Sequence, residues 1–172
     1  MRYPLAIIVA LLVATTGCGT EIGDSCSLSS DCSSQGDRFC DTTSPGGYCT
    51  VIGCDYDNCP DDSVCIRFFS TTQTNIACDP TTEDNFADGI ATTDTCSPDE
   101  LCTLTGVCMP RTAEFRFCMQ TCDGGGDCRD GYECRDEAKM ILNGGEPVLK
   151  PGARITDDTR FPKFCAAEPV PQ

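Results

Sequence analysis

The chain has 172 residues, among them 17 cysteines, no histidine and no tryptophan, and its formal net charge is −15. Without histidine, neither a Ser-His-Asp nor a Cys-His arrangement can be built and the usual general base near neutral pH is missing, so the expectation is that the chain is not an enzyme. The acidic balance excludes nucleic acid as a partner, because binding phosphates relies on Lys and Arg displacing counterions.

The first element is an export signal. Residues 1–4 carry one positive charge, Arg2, residues 5–14 are an unbroken apolar run, and Thr15-Thr16-Gly17 leads into Cys18. Ten apolar residues are too few to span a bilayer, which takes about 20. Gly17-Cys18 after such a run resembles the bacterial lipobox, in which the cysteine is acylated and residues 1–17 are removed; Thr15 stands where that box usually has Leu. Cys18 is thus the expected lipidation site, with residues 18–25 as a tether. Ordinary cleavage near Gly17, with Cys18 entering a disulfide, is opposed by parity: 17 cysteines leave one over, whereas lipidation of Cys18 leaves sixteen for eight bridges. Gly19 rather than Asp follows the cysteine, which resembles an outer-membrane address in two-membraned bacteria, so the expected location is the cell envelope, anchored through lipid.

Downstream, 25 of the 154 residues from Gly19 onward are Leu, Ile, Val or Phe, about 16%, and the mature charge is near −16. Such a chain cannot rely on an oil-drop core and must offset self-repulsion covalently. The expected fold class is therefore small and disulfide-rich, mostly irregular with short β-hairpins, in two tandem cysteine-rich modules. Module 1, residues 26–78, holds Cys26, Cys32, Cys40, Cys49, Cys54, Cys59, Cys65 and Cys78, with gaps of 5, 7, 8, 4, 4, 5 and 12. Within it Asp55, Asp57, Asn58, Asp61 and Asp62 are candidate calcium ligands, since hard cations take turn-borne oxygens; the full Asp-x-Asp-x-Asp-Gly ladder is absent, and solvated turn residues are the alternative. No other cofactor is expected, and the shortest cysteine spacing, Cys118-x3-Cys122, does not suit structural zinc.

Residues 79–95, rich in Thr and Asp and without Lys or Arg, read as an acidic linker, the alternative being that Phe86 and Ile90 dock it onto a module. Module 2, residues 96–165, holds Cys96, Cys102, Cys108, Cys118, Cys122, Cys128, Cys134 and Cys165, with gaps of 5, 5, 9, 3, 5, 5 and 30. These match module 1 within two residues at every gap but the last, which points to duplication. Each copy is expected to close its own four bridges, although spacing leaves 105 connectivities open for eight cysteines. The last gap contains a basic insert, 136–164, where Lys139-Met140-Ile141-Leu142 and Pro147-Val148-Leu149 flank the turn signal Asn143-Gly144-Gly145 and suggest a β-hairpin. Residues 166–172 are a tail.

The lipobox followed by Cys-x5-Cys, the element Gly46-Gly47-Tyr48-Cys49 and the run Cys128-Arg129-Asp130-Gly131-Tyr132-Glu133-Cys134 resemble the cysteine-rich lipoproteins of gliding soil bacteria, whose modules are similar to EGF-like, EB-type and Dickkopf-like repeats. The resemblance implies an extracytoplasmic interaction module without naming its ligand. An EGF-like likeness also implies a first-to-third, second-to-fourth disulfide crossing at each module's start. Three roles follow as expectations: a binding module for a protein or glycan, an envelope spacer without a discrete ligand, or a protease inhibitor presenting 136–164 with Lys150 or Arg154 as the recognised residue.

Overall fold

A computed structural model describes residues 20–70, 76–83, 95–151, 153–156 and 158–170. In chain order the elements are α1 (Ser29–Cys32), β1 (Phe39–Cys40), β2 (Cys49–Thr50), β3 (Ser63–Phe69), β4 (Glu100–Cys102), β5 (Cys108–Pro110), β6 (Glu114–Gln120), β7 (Tyr132–Arg135), α2 (Glu137–Asn143), β8 (Glu146–Pro147) and β9 (Phe164–Ala167). Short antiparallel pairs and tight turns dominate, and eight disulfides link all sixteen cysteines from Cys26 to Cys165. None of the sixteen is left to pair with Cys18, which lies outside the described residues together with residues 1–17 and Gly19.

One pattern repeats four times. Cysteines group into quartets that each cross first to third and second to fourth: Cys26–Cys40 with Cys32–Cys49, Cys54–Cys65 with Cys59–Cys118, Cys78–Cys102 with Cys96–Cys108, and Cys122–Cys134 with Cys128–Cys165. In every quartet the third and fourth cysteines face each other across an antiparallel pair, Cys40 with Cys49, Cys65 with Cys118, Cys102 with Cys108 and Cys134 with Cys165. Directly opposed residues project from the same face of the ladder. The segment before each pair crosses that face, and its two cysteines close one onto each strand.

Two bridges therefore depart from the expectation that residues 26–78 and 96–165 each close on themselves. Cys59–Cys118 joins the two sets, and Cys78–Cys102 draws Cys78 into the second. The cause is the pairing of β3 with β6 over seven residues, Ser63 opposite Gln120 through Phe69 opposite Glu114, which carries Cys118 to Cys65. The third quartet is nested in the connection between these strands. The crossing expected at each module's start is present for Cys26–Cys40, Cys32–Cys49 and Cys96–Cys108, whereas Cys102 bonds Cys78 rather than Cys118. The acidic stretch 79–95 accordingly begins and ends inside one quartet. Its described ends are stitched together by the buried Glu83 carboxylate, which accepts the N–H groups of Thr95 (2.7 Å) and Cys96 (3.2 Å); Phe86 and Ile90 lie outside the described residues.

The insert also differs from its reading. Residues 139–142 form part of α2, not a strand: Asp136 caps the helix by accepting the Lys139 N–H at 3.1 Å, Glu, Ala, Lys and Met are strong helix formers, and Gly144, at φ 78°, ends it. The following β8 then pairs with β3, making the sheet order β6-β3-β8. On the outer side of β6, Ile52 bridges Phe117 and Gly53 N–H donates to Arg116 O at 2.9 Å. The first quartet thus sits at one edge of the central sheet. At the other edge Glu146 of β8 accepts the N–H of Leu104, in the third quartet, at 2.6 Å.

A shared core fills the space between quartets. Ile22, Tyr48, Ile66, Met119, Tyr132, Met140, Val148 and Phe164 pack in one cluster with Cys54, Cys65 and Cys118, and Ile66 and Phe164 are 0% exposed. The first and third quartets add small cores made of cysteines alone. Sulfur thus supplies much of the apolar volume that scarce aliphatic residues leave unfilled.

Candidate functional site

Alternation along Ser63–Phe69 and Glu114–Gln120 places Val64, Ile66, Phe68, Phe115, Phe117 and Met119 on one face of the β3–β6 ladder. The opposite face sets Arg67 directly against Arg116, which would be repulsive were each not given its own carboxylate. Arg67 holds Glu146 through Nε and Nη2, both 2.7 Å from Oε1, with both side chains buried. Arg116 takes Glu114 at 2.5 Å and Asp55 at 3.0 Å.

The apolar face opens into a groove of about 480 Å³ between the first quartet and the sheet. Phe39, Ile52, Phe68, Phe117 and Met119 line it, with Tyr48, Thr43, Ser44, Thr50 and Asp41 from the first quartet and Arg135, Ala166 and Ala167 from β7 and β9. Phe39 and Ile52 remain 45% and 52% exposed, and Phe115, on the same sheet face, 54%. For a chain this poor in large apolar residues, leaving Phe39 and Ile52 uncovered at one depression marks the groove as a candidate binding surface.

Two supports hold the groove's walls. Behind it, Tyr48 and Tyr132 stack with centroids 5.4 Å apart and the Arg129 guanidinium lies 4.0 Å above the Tyr132 ring. Tyr48 Oη donates to Cys165 O (3.3 Å) and accepts the Gln120 N–H (3.0 Å), while Tyr132 Oη donates to Pro45 O (3.0 Å) and Arg129 donates to Gly47 O. Burial pushes the Tyr48 phenol well above its ordinary range. The two motifs singled out in the sequence, around Gly47-Tyr48 and Arg129-Tyr132, therefore meet in space and fasten the first quartet to the fourth. Gly47, at φ 70°, is required there, because an added Cβ would fall 2.0 Å from Cys26 O.

At the other end Arg135, 5% exposed, donates to Asn143 O (3.1 Å), Gly144 O (2.8 Å) and Ala167 O (3.0 Å) and pairs with Glu133 at 3.1 Å. It closes the end of α2 and is structural before it is a contact. Burial pushes the Glu133 carboxyl up, but bonds from Lys139 and Asn143 and the charges of Arg135 and Lys139 outweigh it and hold the group below its ordinary value.

Of the candidate calcium residues, Asp55 and Asn58 bond the backbone of their own turn. Asn58 Oδ1 accepts the Asp55 N–H at 2.7 Å, Asp55 Oδ1 accepts the Tyr56 N–H as well as Arg116, and Asp57 and Asp62 occupy the left-handed region at φ 68° and 59°. Among the described residues, the groups of three potential ligands that converge consist of disulfide-bonded cysteines, not carboxylates. In the insert, Lys150 and Arg154 are exposed, with Lys150 O accepting the Ala153 N–H in a tight turn between buried Val148 and Ile155.

Comparison with known proteins adds no relative: no protein family, no curated protein and no solved structure matches this chain. Its site rests on geometry alone.

Proposed function

We propose that the chain is a lipid-anchored, extracytoplasmic binding module that holds a segment of another protein in the groove beside the first quartet. The observation that carries this reading is the exposure of Phe39 and Ile52 beside Phe117 in a depression whose walls are fixed by disulfides and the Tyr48–Tyr132–Arg129 stack. Apolar lining favours an apolar side chain as the anchor over a sugar, which would present hydroxyls along its length. The strongly acidic surface favours basic residues beside that anchor.

Selection of a random peptide library on the purified module tests the proposal. Enriched sequences should pair a large apolar residue with Lys or Arg, and Ile52→Asp should weaken them at least about tenfold, the loss expected when a charge replaces a central apolar contact. Peptides that bind Ile52→Asp equally well, or a glycan array that yields ligands where the library yields none, would overturn it.

A further inference from the structure

The way the chain enters its fold bears on how the protein stands at a membrane. We infer that the folded body has no flexible tether and sits with its first quartet directly on the lipid headgroups; this rests on the reading that Cys18 is acylated.

Thr20, two residues after Cys18, is already bonded to the folded body. Thr20 Oγ1 donates to Asp31 O at 2.8 Å, Arg38 donates to Thr20 O, and the Glu21 N–H bonds Asp24 Oδ2 at 2.8 Å. Ile22 is 5% exposed in the main core, and the Gly23 N–H bonds Cys49 O at 2.9 Å. Residues expected to act as a tether are thus bonded to the body from Thr20 onward. Only Gly19 separates Thr20 from Cys18, so the two Cα atoms lie within about 7 Å of each other whatever Gly19 does. That reach is comparable to the headgroup layer of one leaflet, roughly 5–8 Å.

The surface at this point suits such a position. A hollow of about 430 Å³ beside Thr20 is lined by Ser30, Ser33, Ser34 and Gln35, with Asp31, Asp37 and Arg38. Hydroxyls, an amide and charges of both signs match polar headgroups and resist entry into hydrocarbon. Asp31 accepts the Ser27 and Leu28 N–H groups, which hold its carboxyl below the ordinary range and keep it charged. The third quartet and α2 lie by β8, at the edge of the central sheet opposite the first quartet, so Leu142 on α2 is farther from the anchor than the hollow is.

The natural chain contains no tryptophan, so single-tryptophan variants report position without background. Gln35→Trp, exposed in the hollow, and Leu142→Trp, exposed on α2, would be prepared as full-length lipidated protein in phosphatidylcholine vesicles carrying a headgroup-bound nitroxide quencher, with the N-terminal mass recorded. Gln35→Trp should lose emission roughly twofold or more while Leu142→Trp is unaffected. A ten-residue Gly-Ser insertion between Gly19 and Thr20, with a mean span of about 17 Å, should restore the Gln35→Trp emission. Equal quenching of both variants, or no response to the insertion, in protein whose mass carries the acyl groups overturns the seat alone. An N-terminus without acyl mass overturns the anchoring reading and the seat with it.

Discussion

Single side chains carry unusual weight where apolar residues are few. Glu146 accepts two bonds from Arg67 and one from the Leu104 backbone, so one carboxylate ties β8 to the sheet and the third quartet to both. Removing it leaves a buried guanidinium without its counter-charge, a loss of about 3–5 kcal/mol. Glu146→Ala should therefore lower the free energy of chemical unfolding by that amount, and Glu146→Gln, which keeps an acceptor for Leu104 but not the charge, by nearly as much; a Gln variant as stable as the parent would mean that the charge is not what matters. None of this was visible from composition. An acidic residue in a chain of net charge −15 reads as one more solvated charge until β8 brings it against Arg67.

At the level of elements, the quartet is the unit of construction, and its legibility was uneven. The spacing of Cys26, Cys32, Cys40 and Cys49 is compact, and these four close among themselves, first to third and second to fourth. The second quartet could not be read, because Cys118 follows Cys65 only after the third quartet, and gaps counted along the chain do not register nesting. Helix α2 was misread for another reason: Asn143-Gly144-Gly145 is a turn signal for a hairpin and for a helix end alike, and the deciding residue is Asp136 in its capping role. The apolar alternation of Ile66-Arg67-Phe68 and Phe115-Arg116-Phe117 was available in the sequence, and it marks the sheet face that forms the groove. Energetically the bridges dominate. Closing 59 residues, as Cys59–Cys118 does, is worth about 4 kcal/mol against about 3 for a loop of 15. Reduction and alkylation should abolish the cooperative melting transition followed by circular dichroism, and a transition that survives would show that the small shared core suffices.

For the whole molecule, charge sets the pH range of stability. Backbone and side-chain bonds hold Asp31, Asp37, Asp79 and Asp127 below their ordinary 3.8, and Glu133 below 4.5. The unfolded chain then binds more protons than the native one in acid, so this stability is present above the ordinary carboxylate range and is lost as pH falls through the lower native values. Tyr48 and Tyr132 act in the other direction. Burial raises both above 10.0, so their contribution is intact below that value and disappears as pH rises through the native ones. Melting temperature should form a plateau between the two limits, and once Tyr3 and the exposed Tyr56 are replaced by Phe, tyrosine absorbance at alkaline pH should rise only together with unfolding. Ionisation that precedes unfolding would place the Tyr48–Tyr132 stack in contact with water.

The nesting of one quartet inside another also dictates a sequence of events during oxidative folding. When the chain emerges amino end first, Cys54, Cys59 and Cys65 arrive together, but the partner of Cys59 follows only after Cys78, Cys96, Cys102 and Cys108 have passed. An oxidant that joins thiols in order of arrival would trap Cys59 with the wrong neighbour, and the error could be undone only by attack of another thiolate. Reaching the native pairing therefore requires conditions that shuffle bonds as well as make them.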